Sequence, residues 1–400
     1  MIDVIIIGAG PAGLCAAIAC KTYGLSVRIF DEFIKPGGRL LGQLHQEPNG
    51  TWWNGIEETK KLQKQLQDLA LPIECGVTVH DLEQNGNEWA VHTNIGTFQT
   101  KHVLLATGAA EFPTPLPGWT LPGVMSIGAA QVMTNVHRVK VGNKGMIIGA
   151  NILSFAIMHE LQLAGLEIDS VVLPPKHTVT KQSAQPLHVL NSLLHVAHIA
   201  PSPLLKIGSR FMKHPAMRKL AIQFYPKRGM KIWSTPLHLR KAAIEIIGDK
   251  QVEAVKIATI TPDGEIIPGT EEIHAVDFVC IAGGLYPLAE LAAVAGCPFH
   301  YIEELGGHVP LHNEKMATQL PGLYVAGNIT GIESAKVAMA QGTVAGTAIA
   351  KELQPSHSHL DSLLQHAIQD VKRTRENATI QFHPHISKGR EQLLALSQEI

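Results

Sequence analysis

An apolar run, Val4-Ile5-Ile6-Ile7, breaks abruptly at Gly8-Ala9-Gly10-Pro11-Ala12-Gly13. Such a β-branched run reads as a strand buried on both faces, and glycines at this spacing turn it tightly into a helix. The three glycines have separate roles. Gly8 makes the turn, Gly10 lets a phosphate approach the backbone, and Gly13 lets helix and strand pack closely. Pro11 and Ala12 open the helix, whose free N–H groups and dipole would receive a pyrophosphate. After the apolar stretch Leu14 to Ala19 the chain turns at Gly24, forms a second strand over Val27 to Phe30, and closes in Asp31-Glu32. An acid about 20 residues past the glycines is where a carboxylate bonds a ribose hydroxyl. Asp31 takes that role here, with Glu32 as its neighbour. A glycine-rich turn alone would say little, but strand, helix and acid in register make a βαβ dinucleotide-binding unit.

A second strand–turn–helix begins at Lys144-Gly145-Met146-Ile147-Ile148-Gly149 and continues through Leu161-Gln162-Leu163-Ala164-Gly165 to a strand at Ser170-Val171-Val172-Leu173. Its fingerprint positions read Gly149, Asn151 and Ser154. Ser154 is small enough for helix packing, whereas Asn151 adds a side chain where a pyrophosphate should approach the backbone. The strand then runs into Pro174-Pro175, with no acid for an NAD ribose and no arginine for an NADP phosphate. The fold is retained and its NAD(P)H binding is expected to be weak or lost; NAD(P) or another adenine nucleotide is the ligand such a frame could still take. Between Gln185 and Tyr225 lies an insertion rich in His, Pro and basic residues (Lys206, Arg210, Lys213, Arg218, Lys219), read as a solvated helical face rather than a ligand patch. Residues 230–262 read as β-rich, with Val252 to Ile260 alternating toward a Pro262-Asp263-Gly264 turn.

At 400 residues the chain suits two or three domains. Lys plus Arg (33) balances Asp plus Glu (34), so the charge field steers toward neither nucleic acid nor an anionic membrane. The 21 histidines are scattered without the spacing of a zinc site, and no metal is expected. Cys15, Cys20, Cys75, Cys280 and Cys297 contain no C-x-x-C pair and no close cluster of four, which argues against an iron–sulfur site, a structural zinc or a redox disulfide. Low cysteine usage fits a reducing compartment, no stretch is long and apolar enough to span a bilayer, and a cytoplasmic location is expected.

Further motifs separate FAD from NAD at the first site through likeness to thioredoxin-reductase-like flavoproteins with two dinucleotide domains. Gly37-Gly38-Arg39-Leu40 resembles the Gly-Gly turn that such proteins place beside the flavin. Val103 to Ala109, a buried strand ending in Ala106-Thr107-Gly108, is similar to the segment that closes their first FAD portion. Leu323-Tyr324-Val325-Ala326-Gly327-Asn328 runs into a helix of small residues, Ala335 to Ala350, whose N-terminus in the family faces the flavin ring. The usual family motif is Gly-Asp, so Asn328 is a departure; an amide still offers an acceptor oxygen and adds a donor. Val79 completes the cofactor set that this likeness implies.

Residues 108–131, above all Pro117-Gly118-Trp119-Thr120-Leu121-Pro122-Gly123-Val124-Met125, resemble the linker of α-type subunits of heteromeric sarcosine oxidase, opine oxidase, hydrogen cyanide synthase and dye-linked proline dehydrogenase. The likeness extends through Ala350 and includes Gly283-Gly284-Leu285-Tyr286-Pro287. It implies an α/β protein of two Rossmann-like domains, the FAD domain discontinuous and the second inserted in it. The boundaries expected are 1–112 and 267–352 for FAD, 113–266 for the insert, and 353–400 for a polar helical tail with Leu363, Leu364 and Ile368 at helical spacing.

In this resemblance the chain carries FAD and passes electrons, while a β-type, amino-acid-oxidase-like flavoprotein subunit oxidises an amine or amino acid. Relatives carry a cysteine-rich [2Fe–2S] segment; with no cysteine after Cys297, such a centre sits on a separate protein or is absent. The competing readings are a stand-alone NAD(P)H-dependent reductase and a redox-silent nucleotide-binding scaffold. No residue pair stands out as general acid and base, so no catalytic residue is assigned. Arg39, His45 and Lys336 lie near the flavin by family geometry, in structural or phosphate-contacting roles. Two accounts of Trp52-Trp53 stay open, a cap over the flavin or partner interface and simple core packing.

Overall fold

The computed structural model describes residues 2–47, 49–195, 212, 214–378 and 381–398. Two compact units emerge: the first comprises Met1–Gln43, Trp53–Ala110 and Leu285–Ile400, the second Leu44–Trp52 and Glu111–Gly284.

The first unit is built on a seven-stranded sheet whose path runs Glu74–Cys75, Val27–Asp31, Ile2–Ile7, Gly96–Leu105, Glu88–Thr93, Val79–Asn85, with Leu323–Val325 also on Gly96–Leu105. The long strand serves two sheet regions: its start pairs antiparallel with Glu88–Thr93, and its end, Val103 to Leu105, lies parallel between Ile5–Ile7 and Leu323–Val325. Helix Pro11–Thr22 packs against helix Ala335–Leu353. Glycines make that approach possible, since a Cβ at Gly342 would fall 2.0 Å from the Ala12 carbonyl oxygen and one at Gly346 2.5 Å from that of Ala16. The tail joins this core: Leu360, Leu364, Ala367, Ile368 and Val371 of helix His359–Glu376 are buried. Leu363, expected on the same stripe, is 43% exposed and faces outward.

The second unit holds an eight-stranded sheet along the path Val124–Ser126, Phe278–Ile281, Lys144–Ile148, Glu167–Leu173, Thr235–Ile247, Ala254–Thr259, Glu272–Ala275, with Met230–Ile232 on Thr235–Ile247. Its first five strands are parallel and the rest antiparallel. The β-rich reading of 230–262 matches these strands, and Gly264 closes the turn at φ +85°. A boundary at 266/267 does not describe this unit. Phe278–Ile281 lies inside its sheet, between Val124–Ser126 and Lys144–Ile148, and the Asp277 carboxylate accepts the Asn143 and Lys144 N–H groups, so 267–284 belong here. Within the insertion, helices Pro186–His195 and Pro215–Gln223 are tied by Arg218, whose Nη1 donates to Asn191 Oδ1 at 2.9 Å. Lys206, Arg210 and Lys213 lie outside the described residues.

The Pro117–Met125 motif is a strap over this sheet. Pro117 O accepts the Ile246 N–H, Pro122 O accepts that of Val252, and the chain then enters the edge strand Val124–Ser126. Gly118 (φ +82°) passes so close that a Cβ would fall 2.0 Å from the Ile246 carbonyl oxygen.

Candidate functional site: an open cradle and a capped one

In the first unit the strand ends at Gly8 (φ +104°), where a Cβ would lie 2.4 Å from the Ala106 carbonyl oxygen; at Gly13 it would lie 1.9 Å from that of Gly8. These glycines are required by protein packing. Gly10 is different. It is the N-cap of helix Pro11–Thr22 in ordinary extended backbone, and a Cβ there would meet no atom within 4 Å. No side chain caps this helix, and its first turn holds no acid. Its leading N–H groups are therefore not taken by any side chain, and its dipole favours an anion, as a pyrophosphate requires.

Asp31 stands at the end of the second strand. Its Oδ2 accepts the Ala9 N–H at 2.6 Å and its Oδ1 accepts the Phe33 N–H at 2.8 Å. Burial pushes its pKa up against the pull of those two donors. Oδ2 thus holds the glycine turn and Oδ1 the loop just after the second strand, yet each keeps a lone pair for a hydroxyl. Glu32 is exposed beside it. Gly38 (φ +53°) comes close to the same turn, a Cβ there falling 3.2 Å from Gly10 Cα. Arg39 Nε donates to Ala109 O at 3.0 Å, and Leu40 is buried beneath. Thr107 Oγ1 donates to Leu288 O, while Gly108 O accepts the Leu288 N–H. Val79 begins the edge strand, opposite Thr93.

Gly327 (φ +81°) closes against Ala12, a Cβ there falling 2.9 Å from the Ala12 Cβ. Its N–H donates to Gln341 Oε1 at 2.8 Å, and Asn328 Oδ1 accepts the Glu333 N–H at 3.2 Å. Helix Ala335–Leu353 starts immediately beyond, capped by Ser334. Lys336 Nζ sits 4.9 Å above the Trp53 ring, whose Nε1 donates to Gln43 Oε1. Trp53 is half-buried; Trp52, 52% exposed, is not a core residue. Gln341, 1% exposed, was missed from sequence because nothing distinguishes a glutamine in a small-residue helix until its partner, the Gly327 N–H, is placed.

In the second unit Gly149 (φ +112°) repeats the role of Gly8, since its Cβ would lie 2.3 Å from the Ala282 carbonyl oxygen. The helix that follows, Ile152–Leu163, is closed by its own residues. Asn151 Oδ1 accepts the Ser154 N–H at 2.9 Å, Ser154 Oγ accepts the Asn151 N–H at 2.9 Å, and Asn151 Nδ2 donates to Ala282 O at 2.9 Å. This reciprocal capping box occupies donors that a nucleotide would use. Further along the helix Glu160 is 4% exposed, with Oε2 accepting from Gln131 and Asn135 and Oε1 from the Leu44 N–H. Burial without a counter-charge pushes its pKa up to about 7. His45 lies in this unit beside Glu47, at 3.6 Å.

Among the described residues one trio, Asp81, Glu83 and His92, brings possible metal-ligand atoms within 4.8 Å of one another. It lies on the hairpin of the first unit, where His92 Nδ1 is engaged by Thr97 Oγ1. No described helix is long and apolar enough to cross a membrane. All five cysteines are free.

Two Rossmann frames, one with an open cradle and one with a capped helix, define a flavoprotein oxidoreductase with two dinucleotide domains. Residues 2–342 match the family described as pyridine nucleotide-disulphide oxidoreductase; the chain belongs to it and is an FAD-dependent oxidoreductase. It is 28% identical over 371 residues to the A subunit of opine oxidase from Agrobacterium tumefaciens (strain Ach5), covering 88% of this chain and 66% of that one. The chain thus spans just under two thirds of that relative's length. Among solved structures it is similar to L-proline dehydrogenase from P. horikoshii (TM-score 0.62, 20% identity, 91% of this chain and 58% of that one). It is also similar to T. acidophilum thioredoxin reductase (TM-score 0.60, 20% identity, 88% of this chain and 98% of that one). At such identities the two structures show the fold alone.

Proposed function

We propose that this chain is the FAD-carrying, electron-transferring subunit of a heteromeric amine or amino-acid oxidase or dehydrogenase working in the cytoplasm. The observation that carries the reading is the contrast between the two helix N-termini: Gly10 leaves its helix open, while Asn151 and Ser154 close theirs. A reductase fed by NAD(P)H needs both frames open. A protein fed by a partner needs only the first.

In this reading Gly8, Gly10, Pro11, Ala12 and Gly13 cradle the pyrophosphate, and the free lone pairs of Asp31, with Glu32 nearby, meet the adenosine ribose. Val79 borders the adenine. Gly38, Arg39 and Leu40, with Thr107 and Gly108, border the flavin; Gly327, Asn328 and Ala335 border the ribityl chain and ring. Bound FAD supplies the two-electron chemistry, and the chain's residues bind it, orient it and set its electrostatics. NAD(P) or another adenine nucleotide could enter the second frame only by displacing the Asn151 side chain. The opine oxidase relative is by name one part of a larger enzyme. The partner proposed here is a β-type, amino-acid-oxidase-like flavoprotein, with any [2Fe–2S] centre on a separate protein.

Co-expression of the chain with such a β-type partner tests this. Addition of the amine substrate should bleach the FAD bound to this chain only when the partner is present. Bleaching by the amine without the partner, or none with it, would sink the proposal.

A further inference from the structure

The loop from Gly327 to Ser334 leaves the C-terminal end of strand Leu323–Val325, the edge of a parallel sheet where ligands bind, and leads into helix Ala335–Leu353. Its backbone makes one 3-10 turn over Asn328–Thr330, and Ile332 N–H donates to Leu305 O at 3.1 Å. Gly327 N–H reaches Gln341, Thr330 Oγ1 donates to Gly327 O at 2.8 Å, and Asn328 holds the Glu333 N–H. The C-terminal segment adds the charged partners of Glu333 and the donors to Thr330. Arg375, on helix His359–Glu376, grips Glu333 with Nε at 2.5 Å and Nη2 at 3.1 Å. Arg390, on helix Ile386–Gln398, donates from Nη1 to Thr330 O at 2.8 Å and from Nη2 to Thr330 Oγ1 at 3.1 Å, and Nη2 also reaches Glu333. Glu333 and Arg390 side chains are 7% and 9% exposed.

The cluster carries an excess of positive charge. Two guanidiniums surround one carboxylate, and nearby His312, 2% exposed, is held neutral by burial and by Arg390, its pKa pushed down to about 3. Arg390 Nε has no hydrogen-bond partner among the described residues. Burying such a triad stabilises a fold poorly compared with apolar packing, so what it offers instead is a single fixed conformation and a local field. Both fall on the loop that adjoins Gly327, itself packed on Ala12 of the pyrophosphate helix.

We propose that Arg375 and Arg390 are positioning residues for FAD: through Glu333 and Thr330 the C-terminal segment clamps the Gly327–Ser334 loop and places a buried positive charge beside the cofactor edge. The inference rests on the FAD reading above. It gives the segment after Leu353 a part in the cofactor site that a merely appended tail would not have. Loosening the clamp frees Asn328 and the helix start together, and removing a cation makes the anionic, reduced flavin less stable.

Full-length Arg375→Gln, Arg375→Lys and Arg390→Lys proteins are compared with wild type for FAD dissociation constant, flavin midpoint potential and unfolding temperature after FAD removal. Loss of one charge-assisted hydrogen bond predicts FAD binding weaker by about tenfold or more in Arg375→Gln and Arg390→Lys. The midpoint potential should fall in Arg375→Gln and return toward wild type in Arg375→Lys, a rescue that packing alone would not produce. Should Arg390→Lys not fold, the two variants at the less deeply buried Arg375 still decide the matter. Wild-type FAD affinity and potential in variants whose stripped form melts lower would make the arginines structural only and overturn the proposal. Failure of the wild-type chain itself to bind FAD would overturn the FAD reading, and this inference with it.

Discussion

Gly10 and Gly13 belong to one motif, yet their surroundings differ. A Cβ at Gly13 collides with the Gly8 carbonyl, while one at Gly10 projects into open space. Gly13→Ala should therefore destabilise the apo-protein by several kcal/mol, on the order of other overpacked core sites. Gly10→Ala should leave apo unfolding nearly unchanged and weaken FAD binding, because the methyl group occupies the approach of the phosphates. Thermal unfolding of stripped protein and FAD titration separate the two, and equal loss of stability at both positions would contradict this account. Asn151 makes the complementary case. Asn151→Ala removes the oxygen that caps Ser154 N–H, and its cost in denaturant unfolding should be about 1 kcal/mol. The tight turn at Gly8 and the close packing at Gly13 were legible in the glycine spacing, whereas the cap that Asn151 forms was not. That Asp31 would first hold the Ala9 N–H was not, since the contact needs the turn and the strand end to meet in space.

At the scale of elements, charge burial sets how the helices respond to pH. Glu160 of helix Ile152–Leu163 has only amide donors around it and a pKa raised to about 7. The folded state then holds this proton more tightly than the unfolded one, so stability falls as pH rises from about 4.5 to 7 and levels off above. Glu160→Gln should flatten that part of the curve of unfolding temperature against pH, and an unchanged slope would contradict the assignment. Glu333 runs the other way. Burial pushes its carboxyl up, yet Arg390 and Arg375 hold it below the ordinary range, so its contribution is present above the unfolded pKa and lost as pH falls through the folded one. In the tail, Leu364 is 3% exposed against the helical core. Leu364→Ala should cost roughly 2–5 kcal/mol, while Leu363→Ala, on the outer face, should cost little. Periodicity located this helix but not its phase. Leu363, Leu364 and Ile368 all suit a stripe until Val371 and Ala367 fix which side faces inward. Glu333 finds Arg375 and Arg390 at separations of 42 and 57 residues, distances no local pattern encodes.

At the scale of the whole molecule, the order of the strands explains what the sequence concealed. Two fingerprints announced two Rossmann frames, and both are present with their turns at Gly8 and Gly149. The chain returns to the first frame later than a boundary at 266/267 places it, because Phe278–Ile281 looks like any buried strand in sequence and only pairing with Val124–Ser126 and Lys144–Ile148 assigns it to the second unit. The proposed division of work involves the two frames together: the first holds FAD, and the second, capped by Asn151 and Ser154, delivers no hydride from a pyridine nucleotide. Anaerobic mixing of the purified, FAD-loaded chain with NADH and with NADPH tests this most directly. The flavin absorbance should stay that of the oxidised form over many minutes with either nucleotide, while dithionite bleaches it at once. Rapid bleaching by NADH or NADPH would contradict the account and identify the chain as a self-sufficient reductase.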